Sequence, residues 1–245
     1  MSAYDSAMIE RRRKLLGPAY KLFYDNPVHI VRGEGVWLYD ADGKKYLDMY
    51  NNVPHVGHCH PHVVEALSKQ AATLNTHTRY LHENILEYAE RLTGHFEQEL
   101  DLAMFCCTGS EANELAMRIA RTHTGGTGFI ATSFAYHGNT KATFEITTSD
   151  IPEHERPDYI ATVPVPDPYR GLYAGPDAGK NYAAHVHEAI ETLESRGVKL
   201  AAFIIDTIAS SGGVVAPPAG YLSTVAKIVR CLLYTSDAAD DSVLV

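Results

Sequence analysis

The chain has 245 residues and a formal net charge of −9, with 13 histidines and four cysteines. This length suits one large α/β domain with a substantial core. The acidic balance, without a Lys/Arg block, argues against nucleic acid or an anionic membrane as a partner.

Several further readings come from composition and local pattern. No apolar run is long enough to cross a bilayer, and no apolar segment precedes a cleavage site near Met1. Four cysteines are too few for a disulfide scaffold, so a reducing cytoplasm is the expected compartment. His55, His58, His60 and His62 form the densest histidine cluster. Carboxylates at ligand spacing are missing around it, so no metal is expected.

In chain order, a first helix is expected from about Met8 to Leu22. Val36 to Tyr39 and Lys45 to Met49, joined by the turn Asp40-Ala-Asp-Gly43, read as a β-hairpin. Helices follow over Pro61 to Ala72 and about Asn84 to Phe96, each with an apolar stripe at helical spacing. Met104 to Cys107 reads as a short buried strand. A small-residue turn, Thr108-Gly109-Ser110, leads into a helix that carries Leu115, Ile119 and several alanines. Beyond it, strands are expected at Phe129 to Thr132, Ala161 to Val165 and Leu200 to Ile205. Helices are expected at Tyr182 to Ser195 and Leu222 to Arg230. Strands alternating with helices predict a mainly parallel sheet covered on both faces.

The turn at Thr108 to Glu111 admits two readings. A strand that turns through Gly and Ser into a helix points unpaired N–H groups, and the positive end of the helix dipole, at one spot suited to a phosphate. Thr108 and Glu111 also fit a capping box, which needs no ligand.

Gly109-Ser-Glu-Ala-Asn113 resembles the cofactor-phosphate loop of class III aminotransferases, which use pyridoxal 5′-phosphate. Three further segments agree in order and spacing: Gly57-His-Cys-His-Pro61, Ala135-Tyr-His-Gly-Asn-Thr140, and Phe203 to Val214 with Pro217-Pro-Ala-Gly-Tyr221. The likeness runs from about Pro18 to about Arg230. It implies a truncated α/β chain of the pyridoxal phosphate-dependent transferase fold type I. Residues 1–60 would be the helix and hairpin of the small domain, and residues 61–230 part of the cofactor-binding large domain.

The resemblance also implies roles. Gly109 and Ser110 would hold the cofactor phosphate, and Tyr136 would stack on its ring with His137 beside it. Asp206 stands where the family has Glu-Pro; it either keeps a polar role near the cofactor or simply makes a turn. The implied activity is transfer of an amino group from an amino acid or amine to a 2-oxo acid, in a homodimer. Asn139 argues against acetylornithine-type members and Ser211 against ornithine-type ones. With the segments around Asn52 and Asn75 to His82, the pattern is closer to alanine–glyoxylate-type transaminases and to phospho-lyases of the ethanolamine-phosphate type. Arg79 is either a contact for a substrate carboxylate or phosphate, or a surface ion-pair residue. Asn52 is the second substrate candidate. The family's Schiff-base lysine and ring-nitrogen aspartate lie downstream of the Gly-Tyr-Leu segment and are not in this chain, so the chain reads as a non-catalytic piece.

Residues 231–241 resemble a translated sequencing adapter, and 231–245 are accordingly expected to be an artefactual tail; the alternative is a divergent C-terminus.

Overall fold

Alternate residues of the central strand serve opposite faces of one sheet, and that alternation organises most of the core. The computed structural model describes residues 3–50, 54–96 and 100–233. In it the chain forms two compact units, Met1–His82 and Glu83–Val245.

The larger unit is built on three parallel strands, β4 (Gly128–Thr132), β5 (Ile160–Val163) and β6 (Leu200–Ile204), in the order β5-β4-β6. Every residue of β4 is buried, as expected for a central parallel strand covered on both sides. Phe129, Ile160 and Ala201 point into one cluster with Met117, Ala120 and Ile146. Their neighbours Ile130, Ala161 and Leu200 point into the other, with Tyr182, Val186, Ile190, Leu193, Tyr221 and Val225. The first face is covered by helix α4 (Gly109–Thr124) and the second by α6 (Ala178–Ser195) and α7 (Tyr221–Leu233). The spacing Tyr182, Val186, Ala189, Ile190 and Leu193 lays one stripe of α6 against the sheet. Two more helices belong to this unit, α3 (Glu83–Thr93) and the short α5 (Lys141–Glu145). This is the α/β, mainly parallel arrangement that the alternating pattern predicts.

The smaller unit holds α1 (Ala3–Leu16), a three-stranded antiparallel sheet and α2 (Pro61–Thr73). The sheet runs β1 (Ile30–Glu34), β2 (Trp37–Asp40), β3 (Lys45–Leu47). The hairpin is present, paired Trp37 to Leu47 and Tyr39 to Lys45. Asp40 Oδ1 accepts the Asp42 and Lys44 N–H groups in its turn. Strand β1 was not anticipated, because Gly33 breaks its apolar pattern. The His58 loop is stitched to this sheet: His58 exchanges backbone hydrogen bonds with Gly35 and its Nε2 lies 2.7 Å from Asp48 Oδ2. Among the described residues no group of three or more His, Cys, Asp or Glu could hold a metal.

Four boundaries or elements depart from expectation. Helix α1 ends at Leu16, because Gly17 takes a left-handed conformation and Pro18 follows. Helix α3 ends at Thr93, one residue ahead of Gly94, rather than at Phe96. Helix α7 runs on to Leu233, past Arg230. Met104 to Cys107 is not a buried strand. It carries no ladder bonds, and Met104 (68% exposed) and Phe105 (43%) face solvent. Among the described residues no strand runs beside it, and a strand without a neighbour has nothing to pair with. No helix of the described residues is long and apolar enough to cross a membrane.

One core residue invites a direct stability test. The Tyr221 hydroxyl is buried without a hydrogen-bond partner among the described residues, and burial pushes its phenol strongly upward from the ordinary value. Removing an unsatisfied buried hydroxyl also removes its desolvation penalty. Tyr221→Phe is therefore expected to raise unfolding free energy, by about 1 kcal/mol, in urea titrations; a loss of stability would mean that the hydroxyl is paired.

Candidate functional site

The C-terminal ends of parallel strands are where ligands of such sheets collect, and here two loops meet the start of α4 at that edge. Helix α4 begins on a cap. Thr108 is the N-cap in an extended conformation, and its hydroxyl accepts the Glu111 N–H at 3.1 Å. Glu111 Oε2 reaches back to the Cys107 N–H at 2.8 Å. The helix closes at Gly125 in the left-handed conformation, with the Gly125 N–H bonded to the Arg121 carbonyl. The capping reading holds, and the cap does not use every donor of the turn. The cap consumes the Glu111 donor, and the Ala112 N–H closes on the Thr108 carbonyl. The Gly109 and Ser110 N–H groups are left with no acceptor among the described residues. Two free donors and the positive end of a 16-residue helix converge there.

The loop after β4 crosses this helix start. Ser110 Oγ donates to Asn139 Oδ1 and accepts the Asn139 N–H, both at 3.1 Å. Asn113 Nδ2 donates to the His137 carbonyl at 2.7 Å. Gly138 sits between, at φ +144°, a conformation for which glycine is suited. A Cβ there would lie 2.6 Å from both Ser110 Oγ and Thr143 Oγ1. The loop thus brings Tyr136, His137, Gly138 and Asn139 to Gly109 and Ser110. The Tyr136 ring is half exposed (53%), with its backbone N–H donated to Ser211 Oγ.

His137 is buried, and its Nε2 has no hydrogen-bond partner among the described residues. Burial pushes the imidazole below its ordinary value, opposed by the negative charge of Asp206. Asp206, just past β6, accepts from the Ile208 N–H, the Ser210 N–H and the Ser210 hydroxyl. Burial disfavours its charged form. The Ser210 and Ile208 hydrogen bonds, with the attraction of His137, outweigh that and hold the carboxyl below the usual carboxylate range. Asp206 therefore organises its own turn while placing negative charge towards His137.

The depressed His137 sets a pH dependence. The unfolded chain binds this proton near the ordinary value of about 6.5, and the folded one only at lower pH. The stability it contributes is complete above the unfolded value and is lost as pH falls through it. Acidification from neutral pH through that value is expected to lower the denaturation midpoint, with a smaller loss in His137→Gln. An equal slope in the variant would mean that His137 carries its proton in the folded state.

Arg79 belongs to the smaller unit and is exposed; its backbone N–H meets His77 Nδ1 at 3.1 Å. Asn52 lies outside the described residues. Asn113 stands in the Gly109–Asn113 motif, whereas Thr143, Thr147 and Thr148 belong to none of the four motifs. The cluster of threonines just after the Tyr-His-Gly segment was the available signal, since hydroxyls near a glycine loop commonly hold its backbone.

Residues 20–231 match the family model described as Aminotransferase class-III. The chain belongs to the class III aminotransferase family.

Members of this family are enzymes that work with pyridoxal phosphate. The chain is 39% identical over 231 residues to an alanine–glyoxylate aminotransferase 2-like protein of Drosophila melanogaster, covering 91% of this chain and 47% of that one. It is 36% identical to an ethanolamine-phosphate phospho-lyase homologue of Caenorhabditis elegans, covering 91% and 51%. Among solved structures it is similar to a phospholyase from Arthrobacter in complex with phosphoethanolamine. The TM-score is 0.84 at 42% identity, over 92% of this chain and 54% of that one. The chain thus spans about half the length of the relatives it matches. The class III site must hold a dianionic phosphate and clamp a ring. The free Gly109 and Ser110 N–H donors, the adjoining aromatic and the orphaned His137 nitrogen fit that requirement.

Proposed function

We propose that this chain is the cofactor-phosphate-holding part of a class III transaminase. The whole protein would move an amino group from an amino acid or amine to a 2-oxo acid. One observation carries the reading: a capped helix leaves the Gly109 and Ser110 N–H groups unpaired where the Tyr136 loop is tied across it. Gly109 and Ser110 would hold the phosphate by their N–H groups, and by the Ser110 hydroxyl once its proton turns from Asn139 Oδ1 to the phosphate. Tyr136 would cover one ring face. His137, kept neutral, offers a nitrogen beside the ring without adding positive charge, and Asp206 supplies a negative charge behind it. When bound, pyridoxal phosphate supplies an electron sink for the carbanion formed at the substrate's amine-bearing carbon. Asn52 and Arg79 are the substrate-contact candidates that the resemblance implies, Arg79 with a surface ion pair as its alternative.

A phospho-lyase acting on an ethanolamine-phosphate-like amine is the second reading. It is favoured by the 42% identity to the Arthrobacter phospholyase. There the same carbanion would expel phosphate instead of being reprotonated. In either case residues 1–60 would be part of the smaller domain, residues 61–230 part of the cofactor domain, and the whole protein a cytoplasmic homodimer.

The full gene tests this function: a strand bearing an aspartate and, after it, a lysine is expected in its product. The protein it encodes should transfer amino groups from amino acids to pyruvate. Phosphate release from ethanolamine phosphate without amino transfer would establish the second reading instead.

A further inference from the structure

We propose that Ser211 is a positioning residue for Tyr136, the distal member of a set of five hydroxyl groups that hold the loop after β4. Five loop N–H groups are each received by a side-chain hydroxyl rather than by a carbonyl. Ala135 donates to Thr148, Tyr136 to Ser211, His137 to Thr147, Asn139 to Ser110 and Thr140 to Thr143, all at 2.9–3.1 Å. Thr147 and Thr148 pass the bonding on, donating to the Thr143 and Thr132 carbonyls. A loop held by hydroxyls keeps its N–H groups satisfied while leaving its side chains free to face a ligand.

Four of the five hydroxyls come from α4, from α5 or from the residues just after α5. Ser211 alone comes from the turn after β6, 75 residues along the chain from Tyr136. That turn is held rigidly. The Asp206 carboxylate receives the Ile208 and Ser210 N–H groups and the Ser210 hydroxyl, and the Ala209 N–H closes on the Asp206 carbonyl. Ala209 and Val214 both sit at positive φ, +40° and +58°, which costs energy unless the surroundings impose it. The Ser211 hydroxyl is thereby presented at a set place. Tyr136 is half exposed. Fixing the Tyr136 N–H from the turn after β6 sets where its side chain starts, on a loop that Ser110 and Asn113 tie to α4. Asp206 then acts on Tyr136 through the turn, as a second positioning residue.

This inference rests on the reading that Tyr136 stacks on the cofactor ring, and the experiment separates the two. Amide exchange is measured by NMR in the full chain, in Ser211→Ala and in Ser211→Thr, alongside affinities for inorganic phosphate and pyridoxamine 5′-phosphate. Loss of one hydrogen bond should speed Tyr136 exchange by about fivefold. Ala135 and His137, held by other hydroxyls, should keep their rates, and Ser211→Thr should restore Tyr136. Pyridoxamine phosphate should bind Ser211→Ala several-fold more weakly, with phosphate affinity unchanged. Unchanged Tyr136 exchange, or faster exchange with no change in the ratio of the two affinities, would overturn the proposal. If wild type binds neither ligand, the cofactor reading fails, while the exchange data still report whether Ser211 anchors Tyr136.

Discussion

Gly138→Ala is expected to cost the chain about 2–4 kcal/mol of stability and to weaken phosphate binding more than tenfold. Two independent penalties meet at this residue. At φ +144° an L side chain is strained by the backbone alone. A Cβ would also stand 2.6 Å from Ser110 Oγ and Thr143 Oγ1, and 3.0 Å from Ser110 Cα. Neither hydroxyl can retreat freely. Ser110 is bonded to both the side chain and the N–H of Asn139, and Thr143 holds the Thr140 N–H. Relieving the clash must therefore lift the loop off the helix start or displace Ser110, and either motion opens the cradle. Urea denaturation with a phosphate titration checks both parts. Wild-type stability with intact phosphate binding would mean that the loop does not cross α4 as described.

The second large effect reverses a common expectation. Glycine to alanine in an exposed helix usually stabilises it by about 1 kcal/mol. Gly179, in the first turn of α6, should do the opposite. A Cβ there would lie 2.3 Å from the Ala219 carbonyl oxygen and 3.0 Å from the Tyr221 nitrogen. Both are backbone atoms at the entry to α7, beside the fully buried Tyr182 and Tyr221. The two helices would have to separate beside these buried rings, at a net cost of about 2–3 kcal/mol. A lowered urea midpoint in Gly179→Ala, with the phosphate site undisturbed, is the expected result. A raised midpoint would place α6 and α7 farther apart at this end.

Much of the larger unit was readable from residue order, for physical reasons that particular elements make plain. Strand β4 shows as an apolar run because it is buried on both faces. Helix α6 shows because Tyr182, Val186, Ile190 and Leu193 repeat at helical spacing. Thr108, Glu111 and Gly125 mark both ends of α4 by local capping chemistry alone. Met104 to Cys107 misled, because an apolar run specifies a strand only where a neighbour can pair with it. Its side chains are exposed for want of one among the described residues. The site was legible as far as chemistry is local: Gly109, Ser110, Tyr136 and His137 stand in short motifs. The contacts that assemble them join residues 24 to 75 positions apart, as in Asn113 to His137 and Tyr136 to Ser211. No local pattern carries such distances. Asp206 shows the limit most clearly, since its carboxylate both closes a turn and faces His137.

The most direct measurement follows the amide resonances of Gly109 and Ser110 in the full chain while pyridoxamine 5′-phosphate, and separately pyridoxamine, is added. Neither ligand carries an aldehyde, so reaction with surface lysines does not intervene. If the α4 N-terminus holds the cofactor phosphate, both amides should shift and saturate with the phosphorylated ligand. They should stay in place with pyridoxamine. Still resonances with the phosphorylated ligand, or equal shifts with both, would contradict the assignment of Gly109 and Ser110 as the phosphate cradle.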